Sequence, residues 1–184
     1  MKICFQINNI IAEVEIKQPL ISDIPYLQNL NSKWQFNALN GNTEKGFLSG
    51  LFDEAFFRTL IKEEAIIAAY SNNTLIAYML TANNANLNIL KTHKEEVEKL
   101  KNNLVINKNA KVAIGIQTAV EEDYHGSGLI VAIRNEFRKM LCNKFQYLFT
   151  TISKNNQRSF ASATKYGWKK VGEDEHHYFL LLTV

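Results

Sequence analysis

The stretch VEEDYHGSGL, residues 120–129, joins a strand-like run to a helix-like one. The run that leads into it, VAIGIQTAV over residues 112–120, carries no charged side chain, which is typical of a central strand of a sheet. The run after it repeats apolar side chains every four residues, as a helix packed on a sheet does. These apolar positions are Leu129, Ile133, Phe137 and Leu141. The sequence therefore predicts a buried strand, a glycine turn and an amphipathic helix in succession.

The glycine turn has the composition of an anion site. Gly126 and Gly128 let backbone N–H groups approach a phosphate closely, and the start of the following helix adds a favourable partial charge. The dinucleotide fingerprint is not satisfied, because Val131 stands at its third glycine, and no Gly-Lys-Ser/Thr phosphate loop occurs. An ordinary glycine turn and a nucleotide-binding domain of another kind remain as alternatives.

The rest of the chain supplies further predicted elements on both sides of this stretch. Those before it are an edge strand at Glu13–Lys17, a helix from Ser22-Asp23 to about Asn31, a helix over Leu51–Leu60, strands at Ala65–Tyr70 and Thr74–Leu80 joined by a tight turn, and one or two amphipathic helices carrying Leu87, Leu90, Val97, Leu100 and Leu104. Those after it are a strand at Phe145–Ile152, a helix at Asn156–Lys165 that stops at Gly167, and strands at Trp168–Val171 and Tyr178–Val184. This order predicts an α+β, or mixed α/β, fold.

Length and composition limit the class of protein. A chain of 184 residues is about one domain long, so we expect a single domain over residues 1–184. The net charge of +3 comes from interspersed signs, without the basic patch that nucleic-acid binding needs. The apolar runs have the length of strands and are too short to span a membrane. We therefore expect neither nucleic acid nor a membrane as a partner.

The two cysteines, Cys4 and Cys142, are far apart and have no CxxC spacing. This arrangement predicts no metal site and favours a reducing compartment, hence a cytoplasmic protein. We expect Cys142 to belong to the apolar core rather than to act as a nucleophile.

A second stretch, over residues 150–168, adds a further pattern to that of the glycine turn. It contains a strand, the pair Asn155-Asn156, a helix, and the exit Gly167-Trp168. Together with Val120, Tyr124, Gly126 and Gly128, it resembles the GNAT superfamily of acetyl-CoA-dependent N-acyltransferases. In that family a central strand precedes a pyrophosphate loop V-x-P-x-Y-R-G-x-G, and a later strand precedes Asn, a helix and Gly-Phe. The resemblance covers Lys111–Trp168 well and the N-terminal half only in the order of elements.

The resemblance implies a mixed central sheet of about six to seven strands flanked by helices, with acetyl-CoA as the acyl donor. It implies cofactor contacts from the main chain of Thr118 and Val120, from the loop residues His125, Gly126, Ser127, Gly128 and Leu129, and from Asn155 and Asn156. The loop departs from the family pattern, because His125 replaces the usual Arg or Gln and Ile130 the usual Gly or Ala. His125 can still donate a hydrogen bond to a phosphate oxygen. The alternative is a solvent-facing turn histidine.

The family's usual general acid is missing from this sequence. Many members place a Tyr four residues before the Gly of Gly-Phe, and here that position is Ala163. Tyr166, three residues later on a similar helix face, is our candidate replacement. The alternative is a tyrosine packed under the sheet.

The sequence does not single out one residue as the general base either. An ammonium acceptor must lose a proton before its nitrogen attacks the thioester. Glu122 can take this proton through a water, although a carboxylate in such a turn is often only surface. His176 and His177 are a second option by their pKa class. Gln117, on the strand, cannot take a proton.

The resemblance also places the acceptor beside the first two helices, near Trp34 and Phe36, which equally suit a core. The acceptor is a small-molecule or peptide amine whose identity no residue specifies. An exposed final strand would let two protomers pair as a homodimer. The alternative to an N-acetyltransferase is a catalytically degenerate acyl-CoA-binding sensor or interaction module, suggested by Ala163 and by the lost basic residue of the loop.

Overall fold

The computed structural model describes residues 1–7, 10–40, 42–83 and 90–184. Within these residues the chain forms eight strands and five α-helices. The strands are β1 (Lys2–Ile7), β2 (Ile10–Lys17), β3 (Ile66–Ser71), β4 (Thr74–Ala82), β5 (Val112–Val120), β6 (Tyr147–Ser153), β7 (Lys169–Glu173) and β8 (His177–Thr183). The helices are α1 (Ile24–Lys33), α2 (Glu54–Lys62), α3 (Leu90–Asn102), α4 (Leu129–Leu141) and α5 (Gln157–Lys165).

All eight strands belong to one mixed sheet in the order β1-β2-β3-β4-β5-β6-β8-β7. β5 and β6 are parallel, whereas the pairs β1–β2, β2–β3, β3–β4, β6–β8 and β7–β8 are antiparallel. The predicted fold class is confirmed, and so is the internal position of β5. The strand count is higher than the six to seven expected.

The additional strand is β1, and it changes the status of its neighbour. β1 pairs with β2 from Lys2–Glu15 to Ile7–Ile10, so β2 lies inside the sheet and the prediction of an edge strand was wrong. The alternation of Ile3, Phe5 and Ile7 is the signal that the interpretation of the sequence left unused. The final strand is likewise not exposed at an edge, because β8 lies between β6 and β7.

The tight turn between β3 and β4 is confirmed. Asn72 and Asn73 both have positive φ, 49° and 61°, between the paired residues Ser71 and Thr74. Two positive φ angles in a two-residue loop match the right-handed twist of an antiparallel pair, and Asn tolerates them better than most residues.

The chain groups into two compact units. The first comprises Met1–Asn42, Phe47–Leu80 and Gln117–Lys139, and the second comprises Thr43–Gly46, Thr81–Ile116 and Met140–Val184. Leu27, Phe57 and Tyr78 are fully buried in the first unit, where the rings of Phe57 and Tyr78 meet edge to face at 6.1 Å. Phe149 and Leu180 are fully buried in the second unit. The expectation of a single domain over residues 1–184 stays a prediction.

Several local expectations needed correction. α2 begins later than expected, because Asp53 is its N-cap and accepts a hydrogen bond from the Phe56 amide at 2.8 Å. Leu104 is 75% exposed at a positive φ of 58° beyond the end of α3, and Leu87 lies outside the described residues. Cys142 is exposed, because α4 ends at Leu141, so its assignment to the core was wrong.

Candidate functional site

The loop that follows β5 is built on a short 3-10 turn. The amide of Glu121 donates to the Ile76 carbonyl at 2.7 Å, which ties the end of β5 to β4. The 3-10 turn Glu122–Tyr124 follows, and the His125 amide donates to the Glu122 carbonyl at 2.9 Å. This turn leads the chain off the sheet and into the glycines that precede α4.

Both glycines of the loop adopt a backbone conformation that other residues rarely reach. The φ angles are 78° at Gly126 and 87° at Gly128. A Cβ atom built at either position meets no atom within 4 Å. The glycines are therefore required by their dihedral angles and not by packing, and the space beside them is open to a ligand.

Three N–H groups at this turn are free to bind an anion. Those of Gly126, Gly128 and Ile130 have no hydrogen-bond partner among the described residues, whereas the Leu129 amide donates to Ser127 Oγ at 3.2 Å. Unpaired amides beside two residues of positive φ, at the start of a thirteen-residue helix, are a favourable arrangement for phosphate. The geometry of the loop therefore fits the anion site that the sequence predicted.

Ser127 has a structural contact of its own between the glycines. Its hydroxyl donates to the Tyr124 carbonyl at 2.8 Å while accepting from the Leu129 amide. The side chain therefore closes the turn from within and orders the backbone between the 3-10 turn and α4.

His125 is half-buried rather than fully exposed in the turn. Its Nε2 lies 3.2 Å from the Val120 carbonyl oxygen, and its ring lies 5.2 Å from that of Trp34. A carbonyl oxygen only accepts, so Nε2 carries a proton in this contact. The carbonyl that we expected to face the donor substrate is thereby engaged by His125.

Thr118 and Val120 lie on the part of β5 beyond its ladder with β6. That ladder has three pairs and ends at Ile114–Phe149. Thr150 extends the contact by one residue, since its hydroxyl donates to the Gly115 carbonyl at 2.8 Å. The main chain of Thr118 and Val120 is therefore not used by this ladder.

The first unit contains one side-chain contact that the sequence did not predict. The Gln117 amide nitrogen donates to the hydroxyl of Tyr78 at 2.7 Å. Tyr78 is fully buried on β4, and burial raises its pKa, so the phenol stays neutral. The partners are 39 residues apart, and no local pattern in the sequence connects them.

The candidate acid and base lie in different units. Glu122 is exposed in the 3-10 turn of the first unit. Tyr166 is half-buried in the second unit, where it is the C-cap of α5 and its amide donates to the Ala163 carbonyl at 3.0 Å. Ala163 itself is 3% exposed. Both catalytic assignments stay predictions.

The two asparagines after β6 have different environments. Asn156 is the N-cap of α5, where its Oδ1 accepts from the Ser159 amide at 3.2 Å. It is buried, and a Cβ atom at Gly46 would lie 3.3 Å from the same oxygen. Asn155 is exposed. Of the two side chains, Asn155 is therefore the one open to a ligand.

Trp34 and Phe36 also differ in exposure. Trp34 is 6% exposed, as the core alternative predicted, and its indole nitrogen is buried without a hydrogen-bond partner among the described residues. Phe36 is 43% exposed and packs edge to face on Phe47 at 5.2 Å. Phe36 therefore has the more accessible ring for an acceptor.

His176 and His177 belong to the turn that enters β8. The amides of both residues donate to one carboxylate oxygen of Asp174, at 2.7 and 2.6 Å. These backbone hydrogen bonds, first that of His176 and then that of His177, lower the pKa of Asp174. The pair therefore has a clear structural role in the β7–β8 hairpin.

Among the described residues, none of the helices has the length and apolar character that crossing a membrane requires.

No protein-family model matches the chain, and no curated protein matches its sequence. The relatives of this chain are therefore found among proteins of known structure.

Solved acetyltransferases match the chain over nearly its whole length. A GNAT-family acetyltransferase from Listeria monocytogenes has 13% identity and a TM-score of 0.73, with 100% of each chain covered. An N-acetyltransferase from Thermoplasma acidophilum, solved in complex with coenzyme A, has 14% identity and a TM-score of 0.60, with 93% of this chain and 99% of that chain covered.

A third match is an Arabidopsis thaliana protein in complex with the bisubstrate analogue CoA-Ac-MVNAL. It has 13% identity and a TM-score of 0.63, with 93% of this chain and 99% of that chain covered. At such identities the similarity establishes the architecture and not the chemistry. The chain therefore has the fold of the GNAT-family acetyltransferases.

Proposed function

We propose that this protein is an N-acetyltransferase that moves an acetyl group from acetyl-CoA directly to a primary amine. The observation that carries the proposal is the open turn at Gly126 and Gly128, with three N–H groups that have no partner in the described chain. Its support is the fold shared with acetyltransferases, two of which were solved with coenzyme A or a derivative of it.

The loop would bind the donor mainly through its backbone. The amides of Gly126, Gly128 and Ile130 would donate to pyrophosphate oxygens, and the partial positive charge at the start of α4 would favour the anion. The main chain of Thr118 and Val120 would pair with the amides of the pantetheine arm, with the Val120 carbonyl using the lone pair that His125 does not occupy. Asn155 would add a polar contact. When bound, acetyl-CoA supplies an activated acetyl group as a thioester.

Two residues of the chain would then transfer protons, one as the general base and one as the general acid. Glu122 would accept a proton from the ammonium group of the acceptor through a water, which frees the nitrogen lone pair. The nitrogen would form a bond to the acetyl carbon as the carbon–sulfur bond breaks. The attacking nitrogen still has one proton more than the amide product and would lose it to solvent. Tyr166 would donate a proton to the departing sulfur and regain one from solvent, so the products are the acetylated amine and the free thiol.

A specific observation favours a second candidate, an acyl-CoA-binding sensor that does not catalyse. Ala163 is buried where many GNAT members have the tyrosine general acid, so no hydroxyl is available at that position. Such a protein would bind acetyl-CoA through the same loop and release no thiol.

Calorimetry and a thiol assay separate these functions. We expect acetyl-CoA to bind and ATP not to bind, whereas binding of both would point to a general nucleotide site. Free-thiol release is then measured with a panel of polyamines, aminoglycosides, amino acids and peptides. Release with one class supports the transferase, and binding without release in any class supports the sensor. A chain that does not bind acetyl-CoA would refute both.

Two matched pairs of variants test the proton transfers. Glu122→Gln is compared with Asp123→Asn, which removes an exposed carboxylate of the same turn. Tyr166→Phe is compared with Tyr26→Phe, whose ring is 61% exposed on α1. General acid–base catalysis contributes about 100-fold to 10,000-fold, so the first member of each pair should lose most of its turnover. Equal turnover within a pair would remove that residue from the mechanism.

A further inference from the structure

The phosphate loop, which we define as residues 121–128 between β5 and α4, is held mainly by the residues beside its glycines. Gly126 and Gly128 have no side chain, and a Cβ at either position would have no neighbour, so neither position anchors the loop by packing. Ser127 bonds only within the turn, to Tyr124 and Leu129. His125 is the loop residue that reaches outward, to the Val120 carbonyl and to the ring of Trp34.

The Trp34 ring that contacts His125 is held at the end of α1. Trp34 is the C-cap of α1 and is 6% exposed. Its carbonyl accepts from the Leu48 amide at 2.7 Å, which fixes its backbone to a second segment. The preceding residue, Lys33, forms an ion pair with Glu121 at the start of the loop. Two neighbouring residues of α1 therefore contact both ends of the turn that precedes the glycines.

The contact between Trp34 and His125 is a tilted contact of the two rings. The two ring centroids are 5.2 Å apart and the planes are inclined by 37°. The indole nitrogen, by contrast, is buried and has no hydrogen-bond partner in the described residues. A buried donor without a partner destabilises a fold, so Trp34 does not owe its position to a hydrogen bond. Ring area at this site is what supports His125.

We propose that Trp34 is a positioning residue for donor binding, acting through His125 on the backbone of Gly126 and Gly128. The inference rests on the proposed function, since it assigns a role to the loop in binding acetyl-CoA. It differs from the expectation that Trp34 contacts the acceptor. In this role Trp34 restricts the conformations of the loop before the ligand binds. Less conformational entropy is then lost on binding.

Four single variants and one double variant test the proposal by the dissociation constant of coenzyme A, measured by calorimetry well below each melting temperature. Trp34→Leu removes the ring, Trp34→Phe keeps an aromatic face, and His125→Ala removes the intermediary. Trp168→Leu is the matched control, because Trp168 is also 6% exposed and lies in the second unit. Ordering one additional residue on binding corresponds to about tenfold in the dissociation constant, or about 1.4 kcal/mol.

We expect Trp34→Leu to weaken binding by about tenfold and Trp34→Phe by less than about twofold, with no change for Trp168→Leu. The double variant of Trp34→Leu with His125→Ala should bind as the weaker single variant does, because both changes remove one contact. Equal losses for Trp34→Leu and Trp168→Leu would overturn the proposal. It would also be overturned by Trp34→Phe behaving like Trp34→Leu, or by multiplicative effects in the double variant.

Amide hydrogen exchange tests the same role without a ligand. The amides of His125 and Val131 bond within the loop, to the Glu122 and Gly128 carbonyls. Trp34→Leu should speed their exchange by about tenfold, and Trp168→Leu should leave it unchanged. Unchanged exchange in Trp34→Leu would overturn the positioning role. Failure of the wild-type protein to bind coenzyme A would instead overturn the proposed function, and the exchange rates would still decide whether Trp34 orders the loop.

Discussion

Replacing Gly128 by Ala tests whether the loop backbone carries donor binding. The φ angle of 87° places an L-residue in the left-handed region, which costs about 1–2 kcal/mol for a residue with a Cβ. The added methyl group meets no atom within 4 Å, so the cost is one of backbone conformation and not of collision. The exposed loop can relax to avoid it, but only by moving the N–H groups of Gly126, Gly128 and Ile130.

The matched control is Gly167→Ala. Gly167 has a φ of 92° after α5, and a Cβ there would lie 3.8 Å from Leu182, an ordinary contact. Both substitutions therefore impose a similar backbone penalty without a clash. Gly167 is not a residue of the phosphate loop, so its change should act on stability alone.

The assays are calorimetric titration with acetyl-CoA and thermal unfolding. For Gly128→Ala we expect the dissociation constant to rise by about fivefold to thirtyfold, the factor that corresponds to 1–2 kcal/mol. For Gly167→Ala we expect a melting temperature about 2–8 °C lower and unchanged affinity. Wild-type affinity in Gly128→Ala, or an equal loss of affinity in Gly167→Ala, would refute the backbone account of the site.

Three further predictions concern stability and turnover. Because burial raises the pKa of Tyr78, the unfolded state gives up this proton first, so the free energy of unfolding should fall as pH rises above about 10. Urea titrations of Tyr78→Phe should show a shallower fall, and an unchanged slope would contradict this. Asp53→Ala removes the N-cap of α2 and should cost about 1 kcal/mol, seen as a melting temperature about 2–4 °C lower; Glu54→Ala is its control. Tyr166→Phe should release thiol at least about tenfold more slowly than Tyr26→Phe at saturating acetyl-CoA, and equal rates would exclude Tyr166 as the general acid.

The parts of the fold that the sequence predicted are those with local causes. β5, the glycine turn and α4 were predicted from an uncharged run, two glycines and a four-residue repeat, and each lies where the pattern placed it. The β3–β4 turn followed from an asparagine pair that tolerates positive φ. These features need only a few consecutive residues, so a linear pattern is enough to identify them.

The parts that the sequence did not predict depend on partners distant in the chain. Whether β2 is an edge strand depends on β1 adding to it, and whether β8 is exposed depends on β7 lying beyond it. The end of α4 decided that Cys142 is exposed rather than part of the core. Sheet order is a property of pairing between segments, and a period of two residues within one strand does not specify its neighbours.

A glycine turn between a buried strand and an amphipathic helix can be identified from the sequence alone as suited to a phosphate. The reason is that positive φ angles and helix starts are set by residue type over a few positions. The tertiary structure alone decided what supports that turn: Trp34 against the His125 ring, Lys33 paired with Glu121, and the Val120 carbonyl bound by His125. These contacts join α1 to the end of β5, and only folding brings residues so distant in the chain within hydrogen-bonding and van der Waals range.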